Sequence, residues 1–245
     1  MNVLATRIRK ITQWATVLFL LGAPGLLFAG QLAGDTAPKL NGPALMQELQ
    51  KGGHIIYFRH GITAESGEKD VADAELGDCA VQRNLSDAGQ AQTKAIGAAL
   101  KTMQIPIGKV YASPYCRCLA SARNMFGKAA VSKALHFSIQ LRHTERVVVN
   151  DQLLALLGAM PSAGTNTALV GHTANLQEAV GIWPKPEGVA HIFKPLGDGN
   201  FTYVGVMQPE AWQLEAAQSP GAGQGPGGQG WFPAISRWFR NPSSK

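Results

Sequence analysis

The stretch "IIYFRHGIT", residues 55 to 63, joins four apolar residues directly to Arg59, His60 and Gly61. A short apolar run bounded by turn residues is typical of a buried strand. Packing alone gives no reason for a guanidinium and an imidazole to follow such a run. We therefore take the end of this strand as the first candidate for a functional site.

Three other short apolar runs are bounded in the same way and predict the fold class. They are "KVYAS" (109–113), "LHFSIQL" (135–141) and "TALVG" (167–171). After the first strand, Ser86 can cap a helix whose apolar positions recur every three or four residues, at 88, 91, 95, 99 and 103. Strands that alternate with helices predict an α/β fold, with a mainly parallel sheet and helices on both faces. Near the C-terminus, "VAHIFKPL" and "FTYVGVMQ" flank "GDGN" and predict an antiparallel pair at the edge of the sheet.

The two ends of the chain differ in composition from its middle. Residues 1–29 have a basic start and an apolar stretch of about 16 residues, and they are interpreted as a cleaved signal peptide or, alternatively, a retained membrane anchor. Either interpretation predicts an exported protein, periplasmic or secreted. Residues 30–42 are expected to be a linker and 43–217 the folded domain, while 218–245 have the glycine content of a flexible tail. The end of that tail, "WFPAISRWFR", is a candidate for contact with a membrane surface.

The net charge of the chain is +6, and it belongs to the two ends. Residues 1–29 and 218–245 contain basic residues and no acid, which leaves the middle of the chain balanced. A nucleic-acid footprint across the domain is therefore not expected.

The three cysteines allow one disulfide with one thiol left over. In an exported protein, Cys79 could form a bridge with Cys116 or Cys118, and the alternative is that the cysteines are small buried hydrophobic residues. Neither the cysteines nor the six histidines show the spacing of metal ligands. No metal and no cofactor are expected.

Cationic or imidazole groups follow three of the predicted strands. Arg59 and His60 end the first, Ser113 to Arg117 follow the second, and His172 follows "TALVG". In a parallel sheet, ligands bind outside the carboxyl ends of the strands. We expect these side chains to converge on an anion.

Phosphoryl transfer requires residues of these types. A neutral histidine can attack phosphorus, and an imidazole that titrates near 6.5 is partly neutral at physiological pH, so His60 is the candidate nucleophile. Arg59 and Arg117 offer planar, permanently charged forks for phosphate oxygens. Gly61 is expected to let the backbone pass close to the bound group.

Four stretches in this chain resemble, in order and spacing, the motifs of the histidine phosphatase superfamily, which includes phosphoglycerate mutases and histidine acid phosphatases. The stretches are "YFRHG", "RNLSDAGQAQ", "SPYCRCLASA" and "LVGHTANL". The resemblance covers roughly residues 43–207. It implies a three-layer α/β/α fold and a phosphohistidine intermediate.

The resemblance also implies roles for individual residues. It matches four positions to the pocket of the family: the nucleophile His60, the phosphate-binding Arg59 and Arg117, and the second histidine, His172. Arg83 and Asn84 are looser candidates for substrate contact.

The general acid is where this chain departs from the family pattern. Members that resemble acid phosphatases have an aspartate after the second histidine, and this chain has Thr173 there. Mutase-like members use a glutamate in the loop after the third strand, and Glu145 in "LRHTERV" is the candidate here. Glu178 and Asp78 are alternatives. A carboxyl group is wanted because the departing oxygen must be protonated.

Hydrolysis of a phosphomonoester is the predicted activity. A phosphomutase is less favoured, because that activity belongs to cytosolic metabolism and this chain is expected to be exported. The alternative from another class is a module that binds a phosphorylated ligand without turnover. The expected partner is a small phosphorylated substrate, with an envelope glycan phosphate as the candidate suggested by the resemblance and the location.

Overall fold

The computed structural model describes residues 31–65 and 76–218, which form one sheet with helices packed on both faces. The strands of that sheet are β1 Ile55–Arg59, β2 Ile107–Ala112, β3 Ala130–Val131, β4 Asn166–Gly171, β5 Ala190–Gly197 and β6 Asn200–Met207. The α-helices in the described residues are α1 Gly42–Lys51, α2 Asp87–Thr102, α3 Cys116–Phe126, α4 His143–Gly158, α5 Thr173–Val180 and α6 Pro209–Gln218. The predicted leader, and the predicted tail beyond Gln218, lie outside the described residues.

The sheet has the order β3-β2-β4-β1-β5-β6. Strands β3, β2, β4 and β1 are parallel to their neighbours, while β5 is antiparallel to both β1 and β6. The predicted α/β class, with a mainly parallel sheet and an antiparallel C-terminal edge, is confirmed. The register sets Arg59 opposite Gly171 and Ala112 opposite Val170, so three neighbouring strands end at the same level.

The central strand β1 is apolar on both faces because each face packs against a layer of helices. Ile56 and Phe58 belong to a core shared with α1, α2, α3 and α6. Ile55 and Tyr57 point to the other core, which α4 and α5 cover. Burying such a side chain contributes about 1.5–3 kcal/mol, so this strand is fixed in the middle of the sheet.

The predicted strand at 135–141 is wrong. This stretch contains the last residue of one short 3₁₀ helix, Lys133–Leu135, and the whole of a second, Ser138–Gln140. The carbonyl of His136 accepts a hydrogen bond from the side-chain amide of Asn175 at 2.5 Å, where a strand would bond to a neighbouring strand. The edge position in the sheet is taken instead by the two residues of β3.

Helix α2 begins where it was predicted, but it buries a different face. The Ser86 hydroxyl accepts a hydrogen bond from the backbone N–H of Gly89 at 3.1 Å, which is the expected cap. Of the predicted apolar positions only 99 and 103 are buried, and the buried face also contains Gly89, Thr93, Ile96, Gly97 and Leu100. Small residues on this face allow close packing, since a Cβ at position 97 would meet the Met125 carbonyl at 2.5 Å.

The described part of the predicted linker follows the last strand of the sheet. The backbone N–H of Ala33 donates to the Phe201 carbonyl at 2.6 Å, and that of Lys39 donates to the Val204 carbonyl at 2.9 Å. Residues 31–41 therefore lead along β6 into α1. Among the described residues, no helix is both long enough and apolar enough to cross a membrane.

Candidate active site

The ends of β1, β2 and β4 open into one cavity of ≈ 290 Å³. It brings together five of the residues that the sequence predicts for an anion site: Arg59, His60, Arg83, Arg117 and His172. The remaining lining residues are Phe137, Ile139, Thr173, Ala174, Gln177, Glu178, Trp183 and Lys185. Of the thirteen described residues that line the cavity, four are Arg or Lys and one is a carboxylate, so these residues together favour an anion.

His60 is fixed as a neutral imidazole with one defined tautomer. Its Nδ1 lies 2.9 Å from the carbonyl oxygen of Gly61, and because a carbonyl can only accept, Nδ1 carries the proton and donates it. Burial, followed by the charges of Arg117, Arg59 and Arg83, holds the pKa of His60 well below its ordinary value of 6.5. Nε2 therefore carries a lone pair, which is the form that can attack an electrophile.

Gly61 packs against α2 and is not among the residues that line the cavity. A Cβ at this position would lie 2.6 Å from Cγ2 of Thr93 and 3.1 Å from the carbonyl oxygen of Gly89. The absent side chain is thus required by close packing against α2. We expected Gly61 to make room for a bound group. Its missing side chain instead makes room for Thr93 and Gly89 of α2.

Arg117 reaches the cavity from the first turn of α3 and is 1% exposed. Its guanidinium carbon lies 4.8 Å from the centroid of the Tyr115 ring and 5.4 Å from that of Phe137. The same guanidinium donates from Nη2 to Nδ1 of His172 at 3.0 Å. Aromatic faces and an imidazole nitrogen therefore lie around this buried charge.

His172 is complementary to His60 in its protonation. Because Arg117 can only donate, Nδ1 of His172 accepts, and the ring proton of the neutral form lies on Nε2, 2.8 Å from the Ser113 hydroxyl oxygen. Burial, followed by the charge of Arg117, lowers the pKa of His172 well below 6.5. Tyr57 fixes its backbone, donating to the His172 carbonyl at 2.8 Å and accepting from its N–H at 3.0 Å.

Arg59 is held by a carboxylate that the sequence analysis did not identify, Glu187. Nη2 of Arg59 donates to Oε1 of Glu187 at 3.2 Å, and Nη1 donates to the carbonyl of Pro184 at 3.3 Å. The Glu187 carboxylate also accepts from the backbone N–H and the hydroxyl of Thr63, both at 3.1 Å. Nε of Arg59 and Nε of Arg83 are buried without a hydrogen-bond partner among the described residues.

A disulfide joins Cys79 to Cys116 and connects two parts of the site. It ties the segment that carries Arg83 to the start of α3, next to Arg117. This is one of the bridges that the sequence allowed, and Cys118 is a buried thiol outside the bridge. Asn84 is not in the cavity, because its amide donates to the carbonyl of Gln82 at 2.9 Å. The expected substrate contact of Asn84 is therefore corrected, whereas Arg83 does line the cavity.

Glu145 lies outside the cavity, which corrects the leading expectation for the general acid. The predicted loop is the first turn of α4, where the Glu145 carboxylate accepts from the backbone N–H of Arg142 at 3.1 Å and pairs with its guanidinium at 2.6 Å. Asp78 is also elsewhere, capping the short helix Cys79–Val81. Within the part of the chain that the structure describes, Glu178 is the carboxylate that lines the cavity. One of its oxygens accepts from Arg146, and the other, Oε2, is buried with no hydrogen-bond partner among the described residues.

Several lining residues were not identified from the sequence. Phe137 and Ile139 lie in the stretch that was predicted to be a strand, and Trp183 and Lys185 lie between α5 and β5. The sequence feature that could have identified Trp183 and Lys185 is the segment "GIWPKPEG". Its prolines and glycines indicate a loop, and it places a tryptophan close to the start of a predicted strand. Among the described residues, no group of three or more histidine, cysteine or acidic side chains could hold a metal ion.

No family model and no curated protein matches this chain. Similar solved structures include the protein histidine phosphatase SixA complexed with tungstate, at 18% identity, covering 64% of this chain and 97% of that one, with a TM-score of 0.46. Others are the ecdysone phosphate phosphatase from Bombix mori with tungstate (14% identity, coverage 64% and 92%, TM-score 0.47) and a putative alpha-ribazole-5'-P phosphatase from Escherichia coli (12% identity, coverage 64% and 97%, TM-score 0.47). These activities belong to the similar proteins, and a likeness of this size does not extend to function.

Proposed function

We propose that this protein is a phosphatase that hydrolyses phosphomonoesters through a covalent intermediate on Nε2 of His60. One observation carries the proposal: Nδ1 of His60 is committed to the Gly61 carbonyl in a cavity that Arg59, Arg83 and Arg117 also line. A pocket that only bound phosphate would gain nothing from an unprotonated nitrogen among guanidinium groups.

The reaction follows in two displacements. The Nε2 lone pair attacks phosphorus, the bond between phosphorus and the ester oxygen breaks, and the alcohol leaves with a proton. Arginines around the phosphoryl oxygens stabilise the charge in the transition state. Water then attacks the phosphohistidine, the bond between nitrogen and phosphorus breaks, and inorganic phosphate leaves with Nε2 restored.

Glu178 is the proposed proton donor to the departing alcohol. It lines the cavity, and its Oε2 makes no hydrogen bond to the described residues. The same carboxylate can accept a proton from the attacking water in the second displacement. Arg146 fixes its other oxygen and so orients the group.

The exported setting is also a proposal. The disulfide Cys79–Cys116 supports it, because such bridges persist in oxidising compartments and are rare in cytosol. The location is measured by fractionating the producing cells. In an exported protein, protease added from outside should cleave the protein once the outer layers of the cell envelope are permeabilised. Recovery of the protein in the cytosolic fraction with both cysteines reduced would contradict it.

The activity is tested with 4-nitrophenyl phosphate and with the His60→Ala variant. We expect the wild type to release phosphate and the variant to lose at least about a thousandfold in kcat/KM, while inorganic phosphate still binds. Phosphate binding without turnover in the wild type would establish the non-catalytic alternative. Wild-type turnover in the variant would exclude His60 as the nucleophile.

A further inference from the structure

The cavity has an apolar rim that the phosphoryl chemistry does not use. Ile139 is 61% exposed and Trp183 is 56% exposed, and both line the cavity. They come from separate segments, one from the short helix Ser138–Gln140 and the other from the loop between α5 and β5. Phe137 adds a half-buried ring, whose centroid lies 4.8 Å from that of His172. The apolar surface therefore begins beside His172, whose ring meets that of the candidate nucleophile His60, and extends to solvent.

Exposed apolar residues need no explanation when they occur singly. These two large side chains converge on one charged cavity, which is the pattern of a ligand contact. Lys185 places Nζ 5.4 Å from the centroid of the Trp183 ring, and this contact helps to orient the indole.

We infer that the preferred substrate is a phosphate ester whose alcohol part carries a flat or bulky apolar group. The inference rests on the proposed phosphatase activity and names its substrate class. Arg59, Arg83 and Arg117 would hold the phosphoryl group, and Trp183 and Ile139 would contact the alcohol part. A sugar phosphate fits less well, because the side chains of Phe137 and Ile139 offer no hydrogen-bond partner to its hydroxyls.

Three esters of primary alcohols test this inference: 2-naphthylmethyl phosphate, ethyl phosphate and glucose 6-phosphate. All three release a primary alcohol, so a difference in kcat/KM reports mainly contact with the alcohol part. We expect kcat/KM for the naphthylmethyl ester to exceed that for each of the other two by about ten- to a hundredfold. Equal values, or a preference for glucose 6-phosphate, would overturn the inference and leave the phosphatase activity standing.

Variants locate the preference. Trp183→Ala and Ile139→Ser are each expected to lower the ratio of naphthylmethyl to ethyl kcat/KM, by about fivefold or more for Trp183→Ala. Leu214→Ala is the matched control, because Leu214 is 57% exposed on α6 and is not among the lining residues. The control is expected to keep the wild-type ratio. An unchanged ratio in both rim variants would contradict the inference.

Failure of the proposed activity gives a different result. In that case none of the three esters releases phosphate, and calorimetric affinities of the same esters replace kcat/KM in the comparison. Tighter binding of the naphthylmethyl ester, reduced by Trp183→Ala, would support the apolar rim without catalysis. Equal affinities for the three esters would contradict the inference about the apolar rim in addition to the proposed activity.

Discussion

The imidazole rings of His60 and His172 meet edge to face, with their centroids 5.6 Å apart. Burial and the charge of Arg117 keep both rings neutral, so neither repels the other. Their hydrogen bonds give them opposite tautomers: Nδ1 carries the proton in His60, and Nε2 carries it in His172. One ring therefore has a lone pair on Nε2, and its neighbour has an N–H at the corresponding atom.

The lowered pKa of His60 predicts that its neutral, nucleophilic form is lost only at a pH well below 6.5. A histidine with an ordinary pKa gains a proton as the pH falls through 6.5, whereas His60 stays neutral through this range because burial and three arginines oppose the charge. We expect the ring ¹⁵N shifts of His60, assigned by comparison with His60→Gln, to stay constant between about pH 8 and pH 6. The same residue in urea-unfolded protein provides the control, with an inflection near 6.5. An inflection near 6.5 in the folded protein would contradict the buried neutral ring.

Glu187 is predicted to act as a positioning residue for Arg59. Glu187→Gln removes the charge that pairs with Nη2 of Arg59, and hydrogen bonds to charged groups contribute about 1.5–3 kcal/mol. We expect KM and the inhibition constant of inorganic phosphate to rise together by about tenfold, with a smaller change in kcat. Glu210→Gln, at an exposed position on α6, is the matched control. A loss in kcat with unchanged phosphate affinity would refute the positioning role.

The proposed acid role of Glu178 predicts a dependence on the leaving group. An alkoxide needs a proton to depart, whereas 4-nitrophenolate does not. Glu178→Gln should therefore lower kcat/KM for ethyl phosphate by about a hundredfold or more, and that for 4-nitrophenyl phosphate by much less. Glu145→Gln is the comparison variant, because that carboxylate caps α4 outside the cavity. Equal losses for both esters in Glu178→Gln would exclude proton donation.

Removing the disulfide is predicted to affect both stability and substrate binding. The double variant Cys79→Ser, Cys116→Ser frees two positions that are 37 residues apart, which costs about 2–4 kcal/mol in the free energy of unfolding. It also releases the segment of Arg83 from α3, so we expect KM to rise. Denaturant unfolding and steady-state kinetics measure the two effects, with Cys118→Ala as a control that keeps the bridge. An unchanged KM would show that Arg83 does not depend on the bridge.

Much of the site could be predicted because parallel strands place their ends together. Arg59, His60 and His172 each follow an apolar run, and β2, β4 and β1 prove to be neighbours in the sheet. Once these runs are recognised as parallel strands, the residues after them must share one edge. The roles of hydrogen-bond partners such as Tyr57 depend on register, which the sequence does not display.

The errors arose where tertiary contacts decide local structure. The stretch 135–141 has the composition of a strand, but Asn175 takes the backbone carbonyl of His136 and the chain turns into short helices. Glu145 is expected from the sequence in a loop after this strand. The structure has no strand there, and Glu145 lies in the N-terminal turn of α4. The rim residue Trp183 could not be placed, because its position depends on how a proline-containing loop packs beside the cavity.

The most direct test of the central claim is to trap the covalent intermediate. Wild-type protein is mixed with radiolabelled 4-nitrophenyl phosphate and quenched in alkali, which preserves phosphohistidine, and the labelled peptide is identified by mass spectrometry. We expect acid-labile phosphate on His60, formed and lost at rates consistent with turnover and missing from His60→Asn. Steady release of phosphate with no label on His60, or with label on another residue, would contradict it.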